Sequence, residues 1–243
     1  MKIMRSDTIV IIPTYNEKEN IEAIIRATFD QEKAFDVLVV DDNSPDGTAS
    51  IVEELQKEFV DRLYIENRKE KNGLGTAYIH GFKWSLNKGY DYIIEMDADF
   101  SHNPKDLIRL YNACAIEGGD VSVGSRYSVG VNVVNWPMNR VLLSYFASKY
   151  VRFITGIPVH DTTAGFVCWQ RNVLETIQLD KVKFVGYAFQ IEMKYKAWKH
   201  KFKIKEVSVI FTDRTRGESK MSGGIVYEAL SGVIKMRLNG LPK

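Results

Sequence analysis

Two aspartates one residue apart, Asp97 and Asp99, follow the apolar run Tyr92-Ile93-Ile94 through Glu95 and Met96. This pattern predicts a strand that stops at a pair of carboxylates. A strand advances roughly 3.3 Å per residue, so the two backbones lie roughly 7 Å apart, and a turn there would let both side chains converge on one cation. Hard divalent cations take oxygen ligands, and Mg²⁺ or Mn²⁺ keeps positions open for substrate phosphates. The spacing suits a metal–diphosphate site. It also suits an acidic turn that caps a helix starting near Pro104.

Other polar motifs follow other apolar runs. Thr8 to Ile12 reads as a strand that ends at Pro13-Thr14-Tyr15-Asn16-Glu17. Phe35 to Val40 reads as a second strand, ending at Asp41-Asp42-Asn43-Ser44-Pro45-Asp46-Gly47-Thr48. The ring of Tyr15 suits stacking on a base, and Asp42 suits accepting hydrogen bonds from a base or ribose; ordinary loop capping accounts for either motif as well. Arg126 and Arg140 carry planar guanidinium forks that fit phosphate oxygens, with a surface salt bridge as the alternative.

The elements that must hold these residues alternate. Strands are expected at Thr8–Ile12, Phe35–Val40, Leu63–Ile65, Asp91–Met96 and Asp120–Gly124. Helices are expected around Ile21–Thr28, Ile51–Phe59, Gly73–Leu86 and Pro104–Ile116. Apolar residues on both parities of the first strand imply burial on both faces. The expectation is an α/β layered domain with a mainly parallel central sheet flanked by helices, its polar motifs at the carboxyl ends of strands, where open sheets bind ligands. No G-x-G-x-x-G follows the first strand and no G-K-S/T loop occurs, so neither a dinucleotide fold nor a P-loop is supported. Beyond Gly124 the pattern predicts helices at Trp136–Thr155 and Gly186–Lys199, and strands at Gly165–Trp169 and Lys203–Phe211. A polar loop, Thr212–Ser222, and an amphipathic helix, Gly223–Leu238, follow. One domain over residues 1–243 is expected, with a nucleotide-binding half, 1–124, and an acceptor-binding half, 125–243.

A net charge of +2 over 243 residues gives no global field, and no nucleic-acid partner is expected. The charge is unevenly placed. Val121 to His160 contains no Asp or Glu but holds Arg126, Arg140, Lys149 and Arg152, which suits a phosphate or an anionic membrane surface. Cys114 and Cys168 form no C-x-x-C motif, which fits a reducing compartment. The four histidines lack zinc-ligand spacing. The run Ile9–Ile12 is too short for a signal peptide, and no segment reaches the roughly 18 to 20 apolar residues of a membrane span. A soluble or peripheral protein is expected. Tyr145, Phe146, Tyr150 and Phe153, with basic flanks, form either a core stripe or a membrane-surface face.

Taken in order, the motifs IIPTYNE (Ile11–Glu17), VVDDNSPDGT (Val39–Thr48), GLGTAY (Gly73–Tyr78), MDADFSH (Met96–His102), GSRY (Gly124–Tyr127), DTTAGF (Asp161–Phe166) and DRTRGESK (Asp213–Lys220) span nearly the whole chain. They resemble the family-2 glycosyltransferases, and within them the polyprenol (dolichol) phosphate mannosyltransferases of the type without transmembrane helices. The resemblance implies a GT-A nucleotide-sugar (Rossmann-like) fold and inverting transfer of mannose from GDP-mannose to a polyprenyl phosphate. It implies that Pro13, Tyr15, Glu17, Asp42, Asp97 and Ala98 contact the donor. Asp97 and Asp99 would bind Mg²⁺ or Mn²⁺, with Ser101 at a position where some relatives carry a ligating glutamine. Arg126 and Arg140 would hold the acceptor phosphate, Arg214 and Lys220 would close over the donor phosphates, and Asp161 would lie near sugar and acceptor. Asp99, Arg126 and Lys220 are the expected catalytic residues. The expected setting is cytoplasmic and peripheral on a membrane's cytoplasmic face, with a small membrane-anchoring protein as a possible partner. A different donor such as UDP-glucose, or nucleotide-sugar binding without transfer, stays open.

Overall fold

The computed structural model describes residues 6–213 and 232–238. Its centre is a seven-stranded sheet in the order β3-β2-β1-β4-β7-β5-β8. The strands are β1 (Thr8–Thr14), β2 (Asp36–Asp41), β3 (Leu63–Asn67), β4 (Tyr92–Glu95), β5 (Val121–Ser125), β7 (Val167–Gln170) and β8 (Ile204–Ser208). All pairings are parallel except those of β7, which runs antiparallel to both β4 and β5. A two-residue strand β6 (Val133–Val134) pairs in parallel with β9 (Phe211–Thr212) outside this sheet.

β1 and β2 have apolar side chains on both parities because both faces of the sheet are covered. On one face α1 (Ile21–Phe29), α2 (Thr48–Glu58) and α4 (Leu107–Ala115) bury Ile24, Val52 and Leu110 against Val10, Ile12, Val37 and Ile94. On the other, α3 (Leu74–Lys88), α6 (Arg171–Ile177) and α7 (Tyr187–Lys199) bury Tyr78, Phe82, Leu174 and Phe189 against Ile9, Ile11 and Trp169. A smaller cluster joins α5 (Met138–Thr155), α7 and a helical segment at 232–238 through Val151, Tyr195, Val233 and Met236.

The expected α/β sheet is present, with differences of local origin. The region expected as one strand over Lys203–Phe211 is two. β8 stops at Ser208, Val209 N donates to Ser125 O at 3.1 Å, and the chain then leaves the sheet to pair with β6. The helix expected from Trp136 starts at Met138, because the residue before a proline is pushed out of the helical region and Pro137 itself is extended, with ψ of 141°. Pro104–Asp106 forms a 3₁₀ turn before α4, with Asn103 accepting from Lys105 N at 3.1 Å. α6 was not expected from the pattern, because its seven residues are too few to show a helical period. Most of the loop expected at 212–222 and of the helix expected at 223–238 lies outside the described residues.

α3 sits unusually close to the sheet. A Cβ on Gly81 would fall 2.8 Å from Ile11 Cγ2, and one on Gly75 would fall 2.8 Å from the Phe189 ring. Gly81→Ala is therefore expected to destabilise the chain by about 1–3 kcal/mol, read as a lower denaturant midpoint with unchanged slope.

Candidate nucleotide and metal site

The strand order reverses between β1 and β4, both of which run parallel to β1's other neighbour, β2. A crevice opens there at the carboxyl ends of the strands. The loops after β1 and β2, both on one side of this reversal, are stitched together. Thr14 Oγ1 donates to Asp41 Oδ2 at 2.7 Å, Asn16 N to Ser44 Oγ at 3.0 Å, Glu17 N to Thr48 Oγ1 at 3.1 Å and Lys18 N to Asp46 Oδ2 at 3.1 Å. Asn16 and Asn43 take left-handed backbone, with φ of 57° and 59°, which asparagine tolerates better than most residues.

The neighbouring aspartates 41 and 42 differ. Asp41 is spent on the Thr14 and Ser44 hydroxyls and Ser44 N. Asp42 is buried, and its Oδ1 lies 3.2 Å from Arg68 Nε without an aligned hydrogen bond. Burial pushes the Asp42 carboxyl up, against the charge of Arg68. Arg68 Nη2 donates to Thr76 Oγ1 at 2.7 Å, while its Nη1 is buried without a hydrogen bond. This pair thus presents one acceptor and one donor whose hydrogen-bonding capacity is unmet. Tyr15 is half-buried, with Lys71 Nζ 4.4 Å from its ring centroid. Pro13 is the half-buried penultimate residue of β1, and Glu17 accepts from Asn20 Nδ2 at 3.1 Å. Sequence reading passed over Arg68, although it directly follows β3 and so occupies another carboxyl strand end.

β4 stops at Glu95, and Met96 N still donates to Ile11 O at 3.1 Å. The chain then turns, with Phe100 at φ 62°. Asp97 is half-exposed, while Ala98, Asp99 and Ser101 are buried. Tyr78 Oη lies 3.5 Å from Asp97 Oδ1, and Ser101 N donates to Asp99 Oδ1 at 3.1 Å. Ser101 Oγ is buried without a hydrogen-bond partner. Among the described residues no group of three or more His, Cys, Asp or Glu could cage a metal ion. Two carboxylates beside an unpartnered hydroxyl fit a hard cation completed by phosphate oxygens and water. His102, buried by a stacking contact with Phe166 at 4.7 Å, accepts from Asp97 N through Nδ1 at 3.0 Å. That bond requires Nδ1 unprotonated, and burial lowers the His102 pKa in the same sense.

Arg126 follows β5 and is buried against Asp161. Its Nε and Nη2 donate to the two Asp161 oxygens at 2.7 Å each, its backbone N donates to Oδ2 at 2.9 Å, and Nη2 also reaches Thr163 Oγ1 at 2.8 Å. Burial alone would raise the Asp161 carboxyl; the charge and hydrogen bonds of Arg126 outweigh it and hold it below the usual range. The alternative of a surface salt bridge is thus replaced by a buried one. The forked edge expected to grip a phosphate is already engaged by Asp161. Trp136 and Phe211 rings lie 5.4 and 5.5 Å from the guanidinium carbon. Arg140 stacks on Trp136 at 4.0 Å and donates to Asp213 Oδ1 at 2.8 Å. Asp213 in turn lines a cleft of about 380 Å³ with Asp99, Phe100, Asn103, Ile210 and Thr212. The structure thus brings Asp99 and Asp213 to one cleft, with Arg140 bonded to Asp213, and Arg126 and Arg140 share the Trp136 ring. Arg214 and Lys220 lie outside the described residues.

The chain matches the family model described as Glycosyl transferase family 2 over residues 9–178. It is 45% identical over 233 residues to the polyprenol monophosphomannose synthase of Mycolicibacterium smegmatis, covering 96% of this chain and 88% of that one. It is 42% identical over 230 residues to the undecaprenyl-phosphate mannosyltransferase of Micrococcus luteus, covering 95% of this chain and 93% of the other. Glucosyl-3-phosphoglycerate synthase from Mycobacterium tuberculosis, solved with Mn²⁺, UDP and glucosyl-3-phosphoglycerate, superposes with a TM-score of 0.69 at 16% identity, covering 100% of this chain and 82% of that one. That likeness shows a GT-A-type layering for the described residues. The order of its motifs, the crevice they line and the breadth of these matches agree, and the chain belongs to glycosyltransferase family 2.

Proposed function

We propose that the chain transfers mannose from GDP-mannose to a polyprenyl phosphate, with inversion at the anomeric carbon. The observation that carries this reading is the cleft at Asp99. Its Asp213 is bonded to Arg140 at the start of α5, a helix free of acidic residues that exposes Leu142, Leu143, Phe146 and Phe153. The two relatives described above are named as a polyprenol monophosphomannose synthase and an undecaprenyl-phosphate mannosyltransferase, which supports this reading. In this reading residues 1–124 hold the nucleotide and 125–243 the acceptor.

Tyr15 stacks on the base, and the Asp42–Arg68 pair meets its polar edge. Pro13, Glu17 and Ala98 line the donor path. Asp97 and Asp99, with Ser101 directly or through water, hold Mg²⁺ or Mn²⁺, which when bound offsets charge developing on the departing diphosphate. An acceptor phosphate oxygen forms the new bond to C1 as the bond to GDP breaks. The nucleophile is already anionic, so no strong general base is required. Arg126 and Arg140 hold that phosphate, Arg126 in an orientation set by Asp161, which also offsets its charge. Arg214 and Lys220 belong to the segment proposed to close over the donor.

Among the described residues no helix is long and apolar enough to cross a membrane. Yet Leu142, Leu143, Phe146 and Phe153 are exposed on α5, Phe153 to 87%, while Tyr145 and Tyr150 are half-buried. We assign the exposed four, with Lys149 between them, to contact with an anionic membrane on its cytoplasmic face. A small membrane-anchoring protein would dock on the same side.

Three outcomes test these assignments. The purified chain should make mannolipid from GDP-mannose and polyprenyl phosphate, lose activity with EDTA, and lose about 10²-fold or more in turnover as Asp99→Asn. Product from UDP-glucose alone would move the donor assignment, and nucleotide binding without product would favour a binding role. Phe146→Asp with Phe153→Asp should cut cosedimentation with phosphatidylserine vesicles several-fold without lowering Tm. Asp161→Asn should cost about 3–5 kcal/mol at neutral pH in chemical denaturation, because it strips Arg126 of its partner. The folded Asp161 pKa is depressed, so the wild-type advantage is complete above about pH 4 and disappears as pH falls through the folded pKa.

A further inference from the structure

Three buried polar side chains at the middle of the molecule take no part in the chemistry above: Glu95, Gln190 and Lys194. Gln190 and Lys194 are four residues apart on α7 and share a face. Lys194 is completely buried. Its ammonium donates to Ala164 O at 2.6 Å, Gln190 O at 3.1 Å, Gln190 Oε1 at 3.2 Å and Thr162 O at 3.3 Å. Gln190 Nε2 donates to Glu95 Oε2, and Trp169 Nε1 donates to Glu95 Oε1 at 2.6 Å.

A buried charged network is weak evidence for stability, since well-packed apolar side chains in place of all its charged members are commonly neutral or better. The role of Lys194 is therefore read from what its bonds fix. The carbonyls of Thr162 and Ala164 flank Thr163, which with Asp161 grips Arg126. At its other end the network reaches Glu95, two residues before Asp97. Gly165 lies between them, with its would-be Cβ 3.8 Å from both Gln190 Nε2 and His102 Cε1. We propose that Lys194, acting through Gln190, is a positioning residue that sets the 161–166 loop, and with it Arg126, against the Asp97–Asp99 turn. The inference rests on the transferase reading for its kinetic consequence but not for its structural one.

The test uses Lys194→Met and the charge-balanced double variant Glu95→Gln with Lys194→Met, in the full chain. Peptide-resolved hydrogen exchange should show amides in 161–166 exchanging about tenfold faster or more, with those of β2 unchanged. Steady-state kinetics should show kcat/KM for polyprenyl phosphate down about tenfold, with GDP-mannose Kd within about twofold. Unchanged exchange at 161–166 in a folded variant would overturn the proposal, as would equal losses for donor and acceptor. Failure of both variants to fold would reduce the network to structural support and also overturn it. A wild-type chain without turnover would sink the transferase reading, and the exchange result would still decide the role of Lys194.

Discussion

The second half of the chain hangs on one buried ion pair, Arg126 with Asp161. Two charges taken out of water must be matched by geometry and by further hydrogen bonds, or the pair costs more than it returns. Here the match is extensive. Asp161 receives Arg126 through side chain and backbone, and its own backbone N donates to Glu206 Oε1 at 3.0 Å. Glu206, on β8, also accepts from His160 N at 2.8 Å. The pair thereby binds the end of β5, the loop before β7 and the edge strand β8 into one unit. Rings of Tyr127, Trp136 and Phe211 stand 5.2, 5.4 and 5.5 Å from the guanidinium carbon and limit its hydration. Whatever Arg126 contributes to an acceptor, it does so from a position fixed in advance.

The loops after β1 and β2 use carboxylates by a different logic. Asp41 and Asp46 are consumed in holding loops: Asp41 takes the Thr14 hydroxyl, and Asp46 takes Thr48 N at 3.0 Å and its hydroxyl. Those hydrogen bonds lower the Asp46 pKa against the effect of burial, whereas burial raises that of Asp42. Acidic residues that look alike in the motif therefore divide into supports and groups turned toward the crevice. The supports let the others keep unmet hydrogen-bonding capacity in a dry setting, where a later partner gains most.

How much of this was legible in the sequence depends on range. Strand ends at Pro13, Asp42, Asp97 and Arg126 could be read because β-branched runs break at turn-forming residues, and those breaks are local. The alternation of strands and helices fixed the layered α/β class for the same reason. The engagement of Arg126 by Asp161 was not legible, since 35 positions separate them and nothing local marks the contact. Lys194 was hidden more thoroughly. A lysine amid Glu192, Tyr195 and Lys196 reads as a solvated helix face, and only the packing of α7 across the sheet turns it inward. The stripe Tyr145, Phe146, Tyr150 and Phe153 left core and surface open, and the register of α5 divides it: Phe146 and Phe153 are exposed, Tyr145 and Tyr150 half-buried.

The antiparallel strand β7 has a consequence for how the molecule can vary. β5 finishes at the reactive edge of the sheet, and β7, running the other way, begins at that same edge, with Val123 and Glu95 both opposite Val167. The chain between Arg126 and Phe166 therefore departs and re-enters at one place. Both ends of this excursion are pinned, by the Arg126–Asp161 pair and by Ala164 and Phe166 in the core, while Val129, Val131, Phe146 and Phe153 on its course stay exposed. A scaffold wired in this way can vary the middle of such an excursion while the strand register at its two ends holds.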